Sequence, residues 1–241
     1  MIESDSNKFF KNLKKLQQKK YRQKTQTFLI ESKKLVEEAI KSNSKIIDII
    51  VNEDYIKNHK LYDYKTVILK NELFSKLSNL NNPEGIMARV KIVDRNLEFN
   101  DKILILDNIN DPGNMGTIIR SAEAFGFYDI ILTNDCVDIY NYKSLRASMG
   151  SVFRVNVVVK DINYIKKLRK DYVILASSMD GIDYRQINDK KLALIIGNEA
   201  NGISDELFEI SDKKIKIPMR GENESLNAAI AASILMNGLN Q

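Results

Sequence analysis

The sequence has one cysteine and one histidine among its 241 residues. Cys136 has no second cysteine with which to form an intrachain disulfide, and a cysteine-rich metal site is excluded for the same reason. His59 lies in a polar stretch, so neither a histidine-based catalytic triad nor a histidine-ligated metal is expected. Any general base must therefore be another kind of group, and we expect no bound metal.

Long apolar runs are also missing. The longest, such as Leu192 to Ile196, have the length of a β-strand and are far too short to span a membrane. The first residues are polar and do not have the pattern of a signal peptide. We therefore expect a cytoplasmic protein with no membrane partner.

The chain length predicts one or two α/β domains. A basic segment from Asn7 to about Lys24 reads as one helix, and Ser32 is placed to begin the next. The strands predicted around these helices are Thr27 to Ile30, Ile46 to Val51, Thr66 to Leu69 and Ile86 to Val93. A polar stretch without apolar periodicity follows Val93, so we predict a small domain over 1–95 and a second domain over 96–241.

The second domain alternates short apolar strands with helix-length segments. The predicted strands are Ile103 to Leu106, Asp129 to Leu132, Val155 to Val159, Val173 to Ala176, Leu192 to Ile196 and Ile215 to Ile217. Continuous apolar strands separated by helices indicate a parallel sheet covered on both faces. Ligands of such sheets bind beyond the carboxyl ends of the strands, so the loops at those ends are the candidates for chemistry.

The formal charge of +5 is concentrated at the start of the chain, where residues 1–24 alone carry +6. Clustered lysines with interspersed aromatic side chains favour a polyanion, and RNA fits better than a membrane because no long apolar face accompanies the charge. A solvated helix face explains the same composition equally well. The candidate RNA contacts in this segment are Lys14, Lys15, Lys19, Lys20, Arg22 and Lys24.

Three loops of the second domain carry unusual polar residues. The first, DNINDPGNMGTIIRSA from Asp107 to Ala122, has a helix start at Asp111 and Pro112 but lacks the GxGxxG fingerprint of dinucleotide-binding proteins. The second, LIIGNEANGI from Leu194 to Ile203, leaves a buried strand at a glycine and has one carboxylate at its tip. Taken singly, each is also consistent with an ordinary capped β–α connection.

The third loop is IPMRGENESLNAAIAA, from Ile217 to Ala232. A strand from Lys213 to Ile217 enters Pro218, a polar loop follows, and a small-residue helix is expected to begin near Glu224 with Ser225 as its cap. Such a loop leaves backbone groups free to bind a flat polar ligand, although a well-capped β–α turn is the alternative interpretation.

Together, in this order and near these spacings, the three loops resemble the motifs of the SpoU-type RNA 2′-O-ribose methyltransferases. The resemblance covers roughly residues 102–239 and includes LRASMGSVFRV, from Leu145 to Val155. TFLIESKKLVEEA, from Thr27 to Ala39, looks like the small substrate-binding domain of the ribosomal-RNA branch of that family. We add Arg146, within LRASMGSVFRV, to the candidate RNA contacts.

The resemblance implies an α/β fold whose parallel-sheet catalytic domain has a deep C-terminal trefoil knot, preceded by a smaller α/β RNA-binding domain. It also implies S-adenosylmethionine bound in the knot and a homodimer. The positions that match the family's cofactor site are Gly197, Ile217, Met219 and Leu226. The positions that match its polar active site are Asn114, Arg120, Glu199, Ser225 and Asn227.

The expected reaction moves a sulfonium methyl group to a ribose hydroxyl, which must lose its proton. A guanidinium is a poor proton acceptor and a good phosphate clamp, so we assign Arg120 to the clamp and the proton to an RNA phosphate or to Glu199. Glu199 could instead only order Asn114 and Arg120.

Three other functions compete with this one. A nicotinamide-dependent oxidoreductase would need the missing glycine fingerprint. A catalytically silent RNA-binding relative could have lost Arg120, Asn114 or Asn227, all of which are present. A tRNA methyltransferase is the nearest competitor, and the first domain favours ribosomal RNA over it.

Overall fold

The computed structural model describes residues 1–198, 200–221 and 225–240. The chain forms two compact units. The first contains Met1–Asp94 and Tyr140–Phe153, and the second contains Arg95–Ile139 and Arg154–Gln241. The segment 140–153 was predicted as part of the second domain, and the structure instead packs it within the first unit. Glu199, a predicted catalytic residue, lies outside the described residues.

The elements are numbered along the chain. The helices are α1 Lys8–Lys15, α2 Lys19–Thr25, α3 Lys33–Lys41, α4 Glu53–Asn58, α5 Asn71–Leu77, α6 Pro112–Ala124, α7 Tyr142–Ser148, α8 Ile162–Lys167, α9 Asp205–Glu209 and α10 Ala228–Gly238. The strands are β1 Thr27–Glu31, β2 Ile46–Asn52, β3 Thr66–Leu69, β4 Ile86–Lys91, β5 Lys102–Leu106, β6 Asp129–Leu132, β7 Asn156–Val159, β8 Val173–Asp183, β9 Leu192–Ile196 and β10 Lys213–Lys216. Within the described residues, no helix is both long enough and apolar enough to cross a membrane.

The first unit is built on a mixed sheet with strand order β1-β4-β2-β3, as far as the described residues extend. β4 is antiparallel to both of its neighbours, and β2 pairs with β3 in parallel. Helices α1 and α5 cover one part of this sheet through an apolar cluster that includes Phe10, Leu13, Phe74 and Leu77. Asp48 is fully buried on β2 and accepts two hydrogen bonds from Arg89 on β4, at 2.5 and 3.1 Å, so its charge is compensated.

The basic segment at the start of the chain is not the single helix that was predicted. It forms α1 and α2, with a break between them that Arg22 stabilises. The Arg22 guanidinium donates hydrogen bonds of 2.8 and 2.9 Å to the carbonyl oxygens of Leu16 and Gln17, just beyond the end of α1. A cation at a helix carboxyl end satisfies carbonyl groups that have no partner within the helix, and here it fixes the second helix against the first.

Segment 140–153 packs against the rest of the first unit through α7, which lies beside β1. The rings of Tyr140 and Phe28 are 4.4 Å apart between centroids. Gly150 has a φ of +94°, and a Cβ added there would lie 2.7 Å from the Cβ of Glu38 on α3. Only glycine tolerates both this backbone conformation and this approach, so the sequence of the segment is suited to its place in the first unit.

The second unit contains, within the described residues, a six-stranded parallel sheet with the order β10-β8-β9-β5-β6-β7. The predicted α/β fold with a parallel sheet is confirmed. The predicted and observed limits of β6 and β9 agree. β9 is a continuous apolar run, and β6 consists of three apolar residues that follow the buried Asp129. β8 was predicted to end at Ala176 and runs to Asp183. Strand order does not by itself test the trefoil knot, which stays a prediction.

The last helix begins later than predicted. α10 starts at Ala228, and its cap is Asn227, whose side-chain oxygen accepts hydrogen bonds from the backbone amides of Ala229 and Ile230. The prediction of Ser225 as cap and a start near Glu224 was therefore wrong. Serine and asparagine cap helices about equally well, and the later start places the asparagine against α6.

Candidate active site

The three unusual loops all lie at the carboxyl edge of the parallel sheet. They follow β5, β9 and β10, and β5 pairs directly with β9. The chain proceeds from β5 outward to β6 and β7 and then returns to the other side at β8 and β9. The β5–β9 boundary is therefore the point at which the strand order reverses, and loops diverge there to leave a crevice for ligands.

The first and third loops are joined through α6 and α10. The Asn227 side-chain amide donates a 3.0 Å hydrogen bond to the side-chain oxygen of Asn114. Farther along the same pair of helices, the hydroxyls of Ser121 and Ser233 are 2.7 Å apart. Both contacts advance in the same direction along the two helices, so α6 and α10 run parallel and present their amino ends side by side. The amino ends of two helices, with the positive ends of their dipoles, therefore meet at this edge of the sheet.

The second loop is joined to the first through Asn198. Its side-chain amide donates a 2.9 Å hydrogen bond to the carbonyl of Asn108, and its backbone exchanges two 2.9 Å hydrogen bonds with Gly202. A Cβ added to Gly197 would lie 2.3 Å from the carbonyl carbon of Gly202, so this position requires glycine. Asp107, buried at the end of β5, accepts a 2.7 Å hydrogen bond from the amide of Ser204. These bonds hold the second loop in a tight turn beside the first.

Arg120 is exposed on α6, and no ion pair is found for it among the described residues. It lies six residues beyond Asn114, which places it about 9 Å farther along the helix and about 120° around it. Asn114 and Ser121 face α10, whereas Arg120 lies on the same side of α6 as the exposed Thr117. The charge is therefore available to a ligand. Its predicted orientation towards Glu199 and Asn227 stays a prediction.

The four predicted cofactor positions follow two strands of the sheet. Gly197 follows β9, whereas Ile217 and Met219 follow β10, and Leu226 comes just before α10. Ile217 and Leu226 are half-buried, and Met219 is 40% exposed. Ser225, predicted as a catalytic residue, is exposed in the same loop.

Five of the candidate RNA contacts in the basic segment are exposed, namely Lys14, Lys15, Lys19, Lys20 and Lys24. Arg22 is different, because it is only 5% exposed and its guanidinium is committed to backbone carbonyls. We remove it from the candidate RNA contacts for that reason. Arg146 is exposed on α7, in the first unit.

Sequence reasoning missed Asn198 and Asp107 as members of the site. Asp107 comes directly after β5, and Asn198 comes two residues after the end of β9. A polar residue just beyond the carboxyl end of a parallel strand can indicate a binding site from sequence alone. Their role depends on a partner about 90 residues away, in the other loop, which local pattern does not reveal.

Other reactive groups of the described chain do not form a second centre. No cluster of three or more His, Cys, Asp or Glu side chains suited to a metal ion occurs among the residues described. Burial raises the pKa of the Cys136 thiol, and the group is inside the second unit. A buried thiol with a raised pKa is a weak nucleophile.

Residues 101–237 match the model of the SpoU rRNA Methylase family, and residues 7–88 match that of the MRM3-like substrate binding domain. The first match covers the three loops and the parallel sheet, and the second covers the basic helices and the mixed sheet as far as the middle of β4.

Individual proteins match over nearly the whole chain. The 23S rRNA (guanosine(2553)-2′-O)-methyltransferase RlmP of Bacillus subtilis is 37% identical, over 98% of this chain and 97% of its own length. Mouse mitochondrial rRNA methyltransferase 3 is 28% identical, over 90% of this chain and 68% of its own length. The crystal structure of an AdoMet-bound rRNA methyltransferase from Sinorhizobium meliloti superposes with a TM-score of 0.86, 28% identity and coverage of 99% of this chain and 96% of that one.

Proposed function

Because this chain belongs to the SpoU rRNA Methylase family, we propose that it transfers a methyl group from S-adenosylmethionine to a ribose 2′-hydroxyl of RNA. The observation that carries the proposal is the hydrogen bond between Asn227 and Asn114, which joins two of the three motif loops where the family places its active site. The RlmP relative acts on 23S rRNA, and we propose ribosomal RNA as the substrate class here.

The residues present fit S-adenosylmethionine. Gly197 allows the tight turn of the second loop beside the site, and Ile217, Met219 and Leu226 offer apolar contact for the adenine and the methionine chain. When bound, the cofactor supplies an electrophilic methyl group on a sulfonium centre. The solved relative with AdoMet bound supports this assignment.

The polar side chains of the site position the ribose and its phosphate. Arg120 has a planar, permanently charged fork that matches a phosphate, and its exposed position on α6 leaves that fork available to RNA. Asn114, Ser225 and Asn227 supply hydrogen-bonding groups for the nucleotide at the two helix starts. The 2′-hydroxyl proton goes to the RNA phosphate or to Glu199, and a Glu199→Gln variant that keeps its activity would exclude the latter.

The first unit is proposed to capture the RNA. Its exposed lysines on α1 and α2 form a cationic surface, and it carries the match to a substrate-binding domain. This extra domain favours ribosomal RNA over tRNA.

We also propose a homodimer, for which Ile230 on α10, 53% exposed, offers apolar contact. We propose a cytoplasmic location, with the ribosome.

The deciding experiment is methyl transfer from radiolabelled S-adenosylmethionine to unmodified ribosomal RNA and to tRNA, followed by mapping of the modified nucleotide. We expect one ribose of ribosomal RNA to be labelled. Labelling of tRNA alone would favour the competing substrate, and no labelling of either RNA, with cofactor bound, would contradict the enzymatic proposal. Light scattering at micromolar concentration tests the dimer.

A further inference from the structure

A cleft of about 540 Å³ lies within the first unit, away from the motif loops. One wall comes from β1 and the start of α3, a second from residues 79–82, and a third from α7. The cleft has the size of a small-ligand site and exceeds what an ordinary gap between packed elements leaves. α7 closes it because the Tyr140–Phe28 contact and the Gly150–Glu38 approach fix segment 140–153 in this unit.

The chemistry of the cleft matches a nucleobase with its phosphate. The apolar floor includes Leu35, Leu77 and Met87, which are buried, and Tyr142 at the rim exposes 42% of its surface. Arg146 and Lys34 also line the cleft, and both are exposed. An aromatic ring for stacking, an apolar floor and a cation for a phosphate are the groups by which proteins bind unstacked RNA bases.

Glu31 adds a group that can read the edge of a base. Glu31 lines the cleft, and its carboxylate accepts hydrogen bonds from the Ser78 hydroxyl and from the Asn79 amide, the latter at 3.0 Å. A carboxylate has about four lone-pair positions, so two acceptor positions remain. Guanine presents adjacent imino and amino N–H donors on its pairing edge, and two such donors match the two oxygens of one carboxylate.

We propose that this cleft binds a single unpaired guanosine of the RNA substrate, distinct from the methylated nucleotide, with its base against Tyr142 and Glu31 and its phosphate on Arg146. The inference rests on the proposed function, since it requires an RNA substrate. It assigns selection of the RNA to a base-reading cleft in addition to the lysines, which contact phosphates and carry no sequence information.

Photocrosslinking of the unaltered full-length protein provides the first test. The probe is a 23S rRNA transcript that contains 6-thioguanosine, and the crosslinked peptides are identified by mass spectrometry. We expect crosslinks to peptides that contain residues 79–82 or 142–149. Crosslinks found only outside these peptides would overturn the proposal, and this test depends on no variant.

Matched variants provide the second test, with RNA affinity measured by filter binding. Tyr142→Ala should weaken binding by about 5- to 150-fold, the range found for loss of one base–aromatic stack. Tyr64→Ala is the control, because Tyr64 is 38% exposed in the same unit and does not line the cleft. Equal effects of the two variants would contradict the inference.

Inosine tests Glu31 directly, because it lacks the amino group of guanine. Replacing the crosslinked guanosine by inosine should weaken binding of the unaltered protein several-fold and weaken binding of Glu31→Gln less, because the amide keeps only one acceptor oxygen. An equal loss in both proteins would overturn the role of Glu31. Glu72→Gln is the control for the loss of one negative charge.

If the unaltered protein methylates RNA and the cleft variants match their controls, only the cleft proposal fails. If it neither binds nor methylates RNA, the proposed function fails as well.

Discussion

The two units use their positive charges in different ways. In the first, the exposed lysines of α1 and α2 form no ion pairs within the described chain. In the second, three of the six arginines form ion pairs, namely Arg154–Glu123, Arg169–Asp212 and Arg185–Asp183. Many unpaired cations on one surface attract a polyanion, whereas an arginine without an ion pair beside a polar crevice is suited to one phosphate. Positive charge therefore indicates capture of RNA in the first unit and positioning of one phosphate in the second.

Removing Arg120 should have the largest effect. Arg120→Ala should lower the rate of methyl transfer by roughly two to four orders of magnitude, because it removes a charged interaction made mainly in the transition state. Arg120→Lys should not restore the rate, since an ammonium cannot reproduce a bidentate fork. Near-normal turnover of either variant would show that Arg120 does not position a phosphate. The proposed difference in charge use between the two units would then not hold. Loss of S-adenosylmethionine binding, measured by calorimetry, would place Arg120 in the cofactor site instead.

The lysines of the first unit should act on affinity and not on the chemical step. Changing four of them to alanine should weaken RNA binding on the order of 100-fold and reduce the salt slope of log K by about one unit for each phosphate that the variant no longer neutralises. The maximal rate at saturating RNA should be unchanged. The four are Lys14, Lys19, Lys20 and Lys24, and the matched control changes four exposed lysines of the second unit, Lys166, Lys167, Lys170 and Lys190. Equal weakening in both variants would mean that net charge alone decides binding.

Arg22 should behave unlike the lysines around it. Arg22→Ala removes charged hydrogen bonds to the carbonyls of Leu16 and Gln17, and should lower the free energy of unfolding by about 1.5–3 kcal/mol. The salt slope of RNA binding should stay the same. Urea denaturation and filter binding measure the two quantities, with Lys24→Ala as the exposed control. A changed salt slope of RNA binding with unchanged stability would make Arg22 a candidate RNA contact again.

Asn227 should combine a structural role with a functional one. Asn227→Ala should cost about 1 kcal/mol because it removes the cap of α10, whereas Asn227→Asp keeps the acceptor and should cost only a few tenths. Both variants lack the donor to Asn114 and should slow methyl transfer about 2- to 10-fold. Thermal unfolding with parallel rate measurements separates the two roles. A normal rate of methyl transfer in Asn227→Asp would show that Asn227 acts only as the cap of α10.

The smallest effect is expected from the titration of Glu31. Burial raises the pKa of this carboxyl, with Glu84 adding to the shift, while Ser78, Asn79 and Arg146 oppose it. The folded protein therefore holds the proton to a higher pH than the unfolded chain, so the stability contribution falls as pH rises through that window. Glu31→Gln should lack this decline. Urea midpoints of both proteins from about pH 4 to 7 test it, and parallel curves would show that the shift has no effect on stability.

The sequence was most informative where local pattern alone determines the structure. β9 is a continuous apolar run, β6 has three consecutive apolar residues, and Asp111 followed by Pro112 marks the start of α6. It was less informative where a distant contact decides between equal local choices. Ser225 and Asn227 are both good caps, and the selection of Asn227 involves Asn114, more than 100 residues earlier. Likewise, nothing within segment 140–153 identifies Phe28 as the partner of Tyr140.

The parallel contact between α6 and α10 has a consequence for the order in which the protein is made. Its two side-chain bonds join residues 113 and 112 positions apart in sequence. Closing so long a loop carries a large entropic cost and delays such contacts during folding. On a translating ribosome, α6 is complete long before α10 emerges. Asn114 therefore cannot accept its hydrogen bond from Asn227 until α10 has emerged. The active-site crevice therefore cannot be completed in a nascent chain until α10 has been synthesised.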